Sequence, residues 1–296
     1  MPPELLASDD DGDDDDGVRV ELTDDAARAL DGSESFLLTR PVEHNLILTI
    51  LHGRVAAPLA GRYWIARVGH DVVGVALQSP IGRSVVVTPG SPTVACALAH
   101  AVADTDTSTG GTVPGVGAEA STAAAFAGAW TDRREVGARP VDGMRLCRLG
   151  ALVPPVAGAG RLRVATADDR ATLRPWMLGF LFDTRQDRDD VDDALDRMLD
   201  AGRLWVWEVG GVPVSMCADT LPIAEVVRIS AVYTPSDERR RGYAAAVVAA
   251  LSASHCSAGH IVVLYADLGN PTSNGVYRRI GFRVVHEVVD YRFDDA

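Results

Sequence analysis

Three consecutive arginines, Arg239, Arg240 and Arg241, stand directly before Gly242-Tyr243-Ala244, and an alanine-, valine- and leucine-rich stretch follows. The residues before them, Ile229 to Tyr233, alternate in the manner of a strand and end at Thr234-Pro235. A strand, an arginine-rich turn with a glycine and a small residue, and then a helix make a seat for a pyrophosphate. The first N–H groups of a helix have no partner inside it and point outward. The helix adds roughly half a positive charge at that end. Gly242 and Ala244 let an anion approach the backbone, and arginines supply charge-assisted hydrogen bonds. An ordinary helix after a basic turn would look similar if nothing else accompanied it.

Something else does. A second apolar strand, Ile261 to Leu268, leads into Asn270-Pro271-Thr272-Ser273-Asn274-Gly275-Val276-Tyr277, then Arg278-Arg279-Ile280-Gly281-Phe282. Asn270 before a proline reads as a turn or helix start. Tyr277 falls inside the short helix that follows.

These elements belong to a longer pattern. The chain has 296 residues with 47% hydrophobic content, room for one large or two ordinary domains. The proline- and glycine-rich segment Leu152 to Gly160 divides it, and the halves resemble each other. Each opens with a short strand into a capped helix, at Arg19 to Asp25 and at Arg163 to Asp169. Each continues with a hairpin turning at Gly69-His70 or Gly210-Gly211, then a strand ending in Thr-Pro. A helix over Val191 to Leu199 places Val191, Leu195, Met198 and Leu199 on one face and ends near Gly202. Another helix is expected over Asp168 to Thr184, with Pro175 inside it as a place where it can split or kink. In the first half the loop after Thr88-Pro89 has no arginine, and Pro92, which lacks an N–H, stands where the phosphate loop should open.

Composition narrows the classes of function. Net charge is −13 and every basic side chain is arginine, which argues against a nucleic-acid partner. Seven of the eight residues from Asp9 to Asp16 are aspartate, a run expected to be a disordered tail. No apolar run is long enough for a membrane span and the N-terminus lacks the marks of a signal peptide, so a cytoplasmic protein is expected. The four cysteines and seven histidines show no metal spacing, and no metal is expected.

The two segments around Gly242 and Asn270, in this order and each between a strand and a helix, are similar to the acyl-CoA-binding signatures of the GNAT superfamily of N-acetyltransferases. The first matches its (Gln/Arg)-x-x-Gly-x-(Gly/Ala) pattern. The resemblance covers Arg161 to Phe293. It implies a mixed α/β fold with a mostly antiparallel central sheet flanked by helices in each half. The organisation expected is an acidic tail over 1–17, a degenerate GNAT-like domain over 18–151, a linker over 152–160 and an acyl-CoA-binding domain over 161–296.

The resemblance also implies roles. Val232, Tyr233 and Thr234 would bond the pantetheine arm through their backbone. Arg239, Arg240, Arg241, Gly242, Tyr243 and Ala244 would hold the pyrophosphate. Asn270 would bond the arm near the thioester or simply cap the turn, and Ser273 and Asn274 would touch the arm or start the helix. Tyr277 would be the general acid that protonates the leaving thiolate, or an aromatic packed beside Ile280 and Phe282. Glu225 is the candidate base, with Asp219 and Asp267 as alternatives. The implied activity is transfer of an acyl group, acetyl above all, from acetyl-CoA to a small-molecule or peptide amine, by a monomer or homodimer. The alternative is a protein that binds acyl-CoA and senses it without turnover.

Overall fold

The computed structural model describes residues 17–109, 113–155, 159–184 and 191–294. The acidic run from Asp9 to Asp16 and the middle of the expected linker lie outside the described residues.

The two halves repeat one order of elements. The first runs β1 (Arg19–Thr23), α1 (Ala26–Leu37), α2 (Asn45–Ala56), β2 (Arg62–Val68), β3 (Asp71–Gln78), β4 (Val85–Val87), α3 (Pro92–Thr109), β5 (Gly115–Glu119), α4 (Ala120–Arg134) and β6 (Ala138–Leu149). The second runs β7 (Arg161–Val164), α5 (Arg170–Asp183), α6 (Val191–Asp200), β8 (Leu204–Val209), β9 (Val212–Asp219), β10 (Val226–Tyr233), α7 (Tyr243–Ser257), β11 (Ile261–Asp267), α8 (Pro271–Ile280) and β12 (Phe282–Phe293).

The local chemistry accounts for the boundaries. Asp25 caps α1, its Oδ1 accepting from the N–H of Ala27 at 2.8 Å. Thr166 and Asp169 form a capping box ahead of α5. Gly69 and Gly210 take the positive φ that their hairpin turns require, and Gly202 does the same after α6. Pro175 does not split α5, which runs unbroken through it.

The fold is mixed α/β, with a sheet flanked by helices. The two expected sheets are joined into one of twelve strands, in the order β1-β2-β3-β4-β5-β12-β6-β11-β10-β9-β8-β7. Only β4 with β5 and β10 with β11 pair in parallel. The join is reciprocal. β12 of the second half inserts between β5 and β6 of the first, and β6 inserts between β11 and β12. The β6–β12 ladder runs from Phe282 opposite Leu149 to Phe293 opposite Ala138.

The cores follow the exchange. Phe293 from β12 stacks on Trp130 of α4 at 4.5 Å between ring centroids, inside the core of α3 and α4. Cys147 and Leu149 from β6 lie in the core of α7 and α8, with Val248, Leu251 and Ile280. Burying a side chain the size of Phe293 is worth about 2 kcal/mol. Each half therefore lends the other part of its core as well as a strand. Helices α1, α2, α5 and α6 cover one face of the sheet, and α3, α4, α7 and α8 the other. No described helix is long and apolar enough to cross a membrane.

A fragment covering 159–294 lacks β6, so β11 and β12 lose their common partner. We expect it to aggregate or to melt without cooperativity when expressed alone, and to be rescued by co-expression with 17–155. A monodisperse, cooperatively melting 159–294 fragment would contradict this.

Candidate functional site

Strand β10 pairs with β11 from Val226 opposite Ile261 to Ile229 opposite Leu264, and the ladder ends there. The cause is local. Ala231 has φ of +48°, a conformation rare for a residue with a Cβ, and the register to β9 shifts between Ser230 and Tyr233. Such a bulge bends its strand and leaves backbone groups unpaired. A cavity of about 550 Å3 opens in the gap. Ser230, Ala231, Val232 and Tyr233 line one wall, and Leu264 to Asp267 the other.

The loop after β10 leads into α7, which packs on both β10 and β11. Gly242 is its N-cap, at φ of +84°, and no side chain caps it. The first bond of the helix runs from the N–H of Ala246 to the carbonyl of Gly242 at 3.0 Å. The N–H groups of Tyr243, Ala244 and Ala245 therefore precede the helical ladder. A Cβ placed on Gly242 would meet nothing within 4 Å. Open space before uncapped N–H groups is what a pyrophosphate requires, so the residues present fit that group.

The three arginines are not equivalent. Arg239 is committed to the loop: its Nε donates to the carbonyl of Thr234 at 2.9 Å, its Nη2 to Asp183 at 2.8 Å, and its guanidinium lies over the Tyr233 ring. Arg241 bonds Glu238 at 2.9 Å. Arg240, at φ of +65°, has no side-chain partner among the described residues, so it is the cation available to an anion. Thr234 is partly engaged within the loop. Its carbonyl accepts from Arg239 and its hydroxyl is 2.9 Å from Ser215 Oγ, so part of its hydrogen-bonding capacity serves the loop. Val232 and Tyr233 do line the cavity.

Across the gap, Asn270 is the N-cap of α8, its Oδ1 accepting from the N–H of Ser273 at 3.1 Å. That leaves its amide nitrogen without a partner among the described residues, and Asn270 and Ser273 both line the cavity. Asn274 does not: its Nδ2 donates to the carbonyls of Asp267 at 2.6 Å and Asn270 at 2.8 Å, holding the turn.

Tyr277 lines the cavity and is otherwise buried, edge-on to Phe282. Its hydroxyl has no hydrogen-bond partner among the described residues. Burial pushes its phenol well above the ordinary range, with Cys217 and Cys147 adding to the effect. Both of those thiols are themselves raised by burial and are inert.

The candidate base is not brought to the site. Glu225 sits in an exposed turn with φ of +64° at the far end of β10, roughly 25 Å from Tyr233 at strand rise. Asp219 is also unavailable, since it holds His255 Nε2 at 2.8 Å and faces Arg203. Asp267 lines the cavity, and its Oδ1 accepts from the N–H of Gly269 at 2.7 Å.

The sequence reading missed the other carboxylates. On the face covered by α2 and α5, the cavity extends over β6, β12 and β5. Partners across an antiparallel pair share a face. Asp142 stands opposite Asp290, Met144 opposite Val288, and Val288 opposite Glu119. Burial pushes Asp290 up to about 6, and the like charge of Asp142 adds to it. Burial also raises Glu119, but hydrogen bonds from Ser121 and Thr122, which it caps at the start of α4, more than offset this and leave it below its ordinary value. Burial lowers His286, and likewise Arg228, whose Nη1 donates to Asn45 Oδ1 at 3.0 Å. The charged residues Arg283, Glu287, Asp290 and Arg292 of β12 were visible in the chain. The position of β12 at the sheet centre was not, because that depends on the strand exchange.

The corresponding place in the first half is closed by its own side chains. Ser91 Oγ accepts from the N–H of Val94 at 3.3 Å at the start of α3, and Thr122 Oγ1 accepts from the N–H of Gly90 at 3.1 Å.

Residues 211–291 match the family model described as FR47-like protein. No curated protein matches the chain. Among solved structures, an acetyltransferase from the GNAT family of Colwellia psychrerythraea superposes with a TM-score of 0.62 at 10% identity, covering 93% of this chain and 100% of that one. A GCN5-related N-acetyltransferase from Kribbella flavida gives 0.58 at 18% identity, over 85% and 95%. A tandem GNAT protein from the clavulanic acid biosynthesis pathway gives 0.52 at 13%, over 93% and 98%. The chain thus has the fold of the GNAT acetyltransferases, and its second half carries an FR47-like segment.

Proposed function

We propose that this chain is an N-acyltransferase that moves an acyl group, acetyl above all, from acyl-CoA to an amine by direct transfer in a ternary complex. The observation that carries the reading is the coincidence of two features. Helix α7, uncapped at Gly242, packs on β10 and β11, and the unpartnered hydroxyl of Tyr277 lies in the gap where those strands part. The first fits a pyrophosphate and the second fits a leaving sulfur.

Acyl-CoA brings the activated thioester, and the chain's residues do the rest. The N–H groups of Tyr243 to Ala245 and the guanidinium of Arg240 hold the pyrophosphate. Val232 and Tyr233 offer backbone groups along the pantetheine arm, and Asn270 its free amide. Tyr277 donates to the sulfur as negative charge builds there. Burial keeps the phenol protonated at neutral pH. The same dry wall makes an expelled thiolate more basic than in water, so donor and acceptor stay matched. The inert thiols of Cys147 and Cys217 support direct transfer over a covalent intermediate. The first half, with its helix start satisfied by Ser91 and Thr122, is read as binding no CoA.

Acetyl-CoA binding by calorimetry tests this. The wild type should bind one equivalent. Gly242→Glu, which puts an anion into the seat, should abolish binding, while Gly242→Asn, which tolerates positive φ without adding charge, should retain it. No binding by wild type, or two equivalents, would overturn the reading of the site or of the first half. Tyr277→Phe should keep the acetyl-CoA affinity and lower kcat by roughly 100-fold or more. Unchanged kcat would remove Tyr277 from the chemistry.

A further inference from the structure

The acyl-transfer reading leaves the acceptor amine unassigned, and one cationic side chain of the cavity bears on it. Arg228 stands on β10 two residues before Ser230, where the gap opens. The two share a face of the sheet, and about 7 Å of strand separates them. That face is the one α2 covers, and Arg228 lines the cavity there. Its one hydrogen bond among the described residues runs from Nη1 to Asn45 Oδ1 at 3.0 Å. Asn45 belongs to α2, in the other half of the chain. Its amide is fixed from behind, with Nδ2 donating to the carbonyl of Val42 at 2.6 Å and to the Tyr265 hydroxyl at 3.4 Å. Those partners set which way the amide points.

This is little company for a buried charge. Burial pushes Arg228 below its ordinary range, and Tyr265 is the only titratable group whose charge bears on it. The carboxylates of the cavity are occupied elsewhere. The charge of Glu43 bears on His44 and His286, and Asp267 accepts from the N–H of Gly269. Asp142 is distant: Arg228 is in register with Val263 and, through it, with Arg148, six places along β6 from Asp142. Roughly 20 Å of strand lies between them. A desolvated guanidinium held by one neutral amide is costly. Its Nε and Nη2 have no partner among the described residues. Tyr265 lines the same cavity, and its hydroxyl accepts from Asn45, so its own proton remains to be donated. Burial keeps that phenol protonated. A guanidinium fork and a phenol on adjoining strands make a seat for a carboxylate. A doubly charged phosphate suits the cavity less, because Glu43 and Asp267 line it too.

We propose that Arg228, with Tyr265 beside it, binds a carboxylate carried by the acceptor, so that the acceptor is an amino acid. The proposal rests on the acyl-transfer reading for its chemistry. With the carboxylate on Arg228, the amine points along β10 toward Ser230 and the gap that receives the thioester. The short stretch of strand between Arg228 and the gap limits the acceptor to a few bonds between its two groups. Arg228 is a binding residue and moves no proton. Because Asn45 holds Arg228 in place, the first half shares in the acceptor site without binding CoA itself.

Calorimetry with the amino acids of proteins, without and with saturating coenzyme A, tests the proposal apart from turnover, since coenzyme A carries no acyl group. Each amino acid that binds is compared with the amine that lacks only its carboxylate. The wild type should bind at least one amino acid, and about tenfold or more tighter than the matching amine. That comparison needs no variant, so it decides even if a substitution impairs folding. Arg228→Met should abolish the preference for the amino acid. Arg228→Lys, which keeps a charge but not the planar fork, should reduce it. Tyr265→Phe should weaken amino-acid binding severalfold. Melting checks that each variant is folded. Failure of every amino acid to bind in both conditions would overturn the proposal. So would equal affinity for amino acid and amine, or a preference unchanged in Arg228→Met. Amino-acid binding with no binding of coenzyme A would instead overturn the acyl-transfer reading and leave Arg228 as a carboxylate site.

Discussion

The β6–β12 ladder is the constraint on which the rest of this structure depends. It makes a single sheet of two repeated halves and puts Phe293 into one core and Leu149 into the other. It also sets a strand from each half side by side under the cavity, so that Asp142 and Asp290 meet although they are far apart in sequence. Hydrogen bonds of this kind contribute about 1 kcal/mol each, and the apolar side chains that the exchange buries add to them. Separating the halves would expose two strand edges and open two cores at once.

Within that nearly symmetric frame, small sequence differences leave the two corresponding helix starts differently satisfied. Both halves place a parallel strand pair with a helix between its members. In the second, Gly242 at positive φ leaves the helix start uncapped and open. In the first, Ser91 caps the helix and Thr122 satisfies Gly90. Unsatisfied N–H groups are costly when buried and useful when exposed to a ligand. The two ends of the molecule have settled this in opposite ways.

Much of this was legible in the chain. The repeat, the hairpins at Gly69 and Gly210, the cap of α6 at Gly202 and the phosphate-type loop at Gly242 are local features, set by residues a few places apart. The helix through Pro175 was legible too, though a split at the proline was left open; packing of Leu173 and Met177 accompanies its continuity. The bond from Arg239 to the Thr234 carbonyl was not legible, because the two meet across a turn. Glu225 was put forward as a base from its place beside a strand, but strand direction carries it to the far end. The Asp142–Asp290 pair could not be read at all, since it exists only through the exchange of β6 and β12.

Hydrogen–deuterium exchange, with and without acetyl-CoA, tests the central claim most directly. It reads out backbone protection in both halves in one experiment. The account predicts that acetyl-CoA slows exchange at 230–233 and 242–245, the wall of the gap and the start of α7, and leaves 87–94 in the first half unchanged. Protection at 87–94, or none at 242–245 at saturating acetyl-CoA, would contradict it.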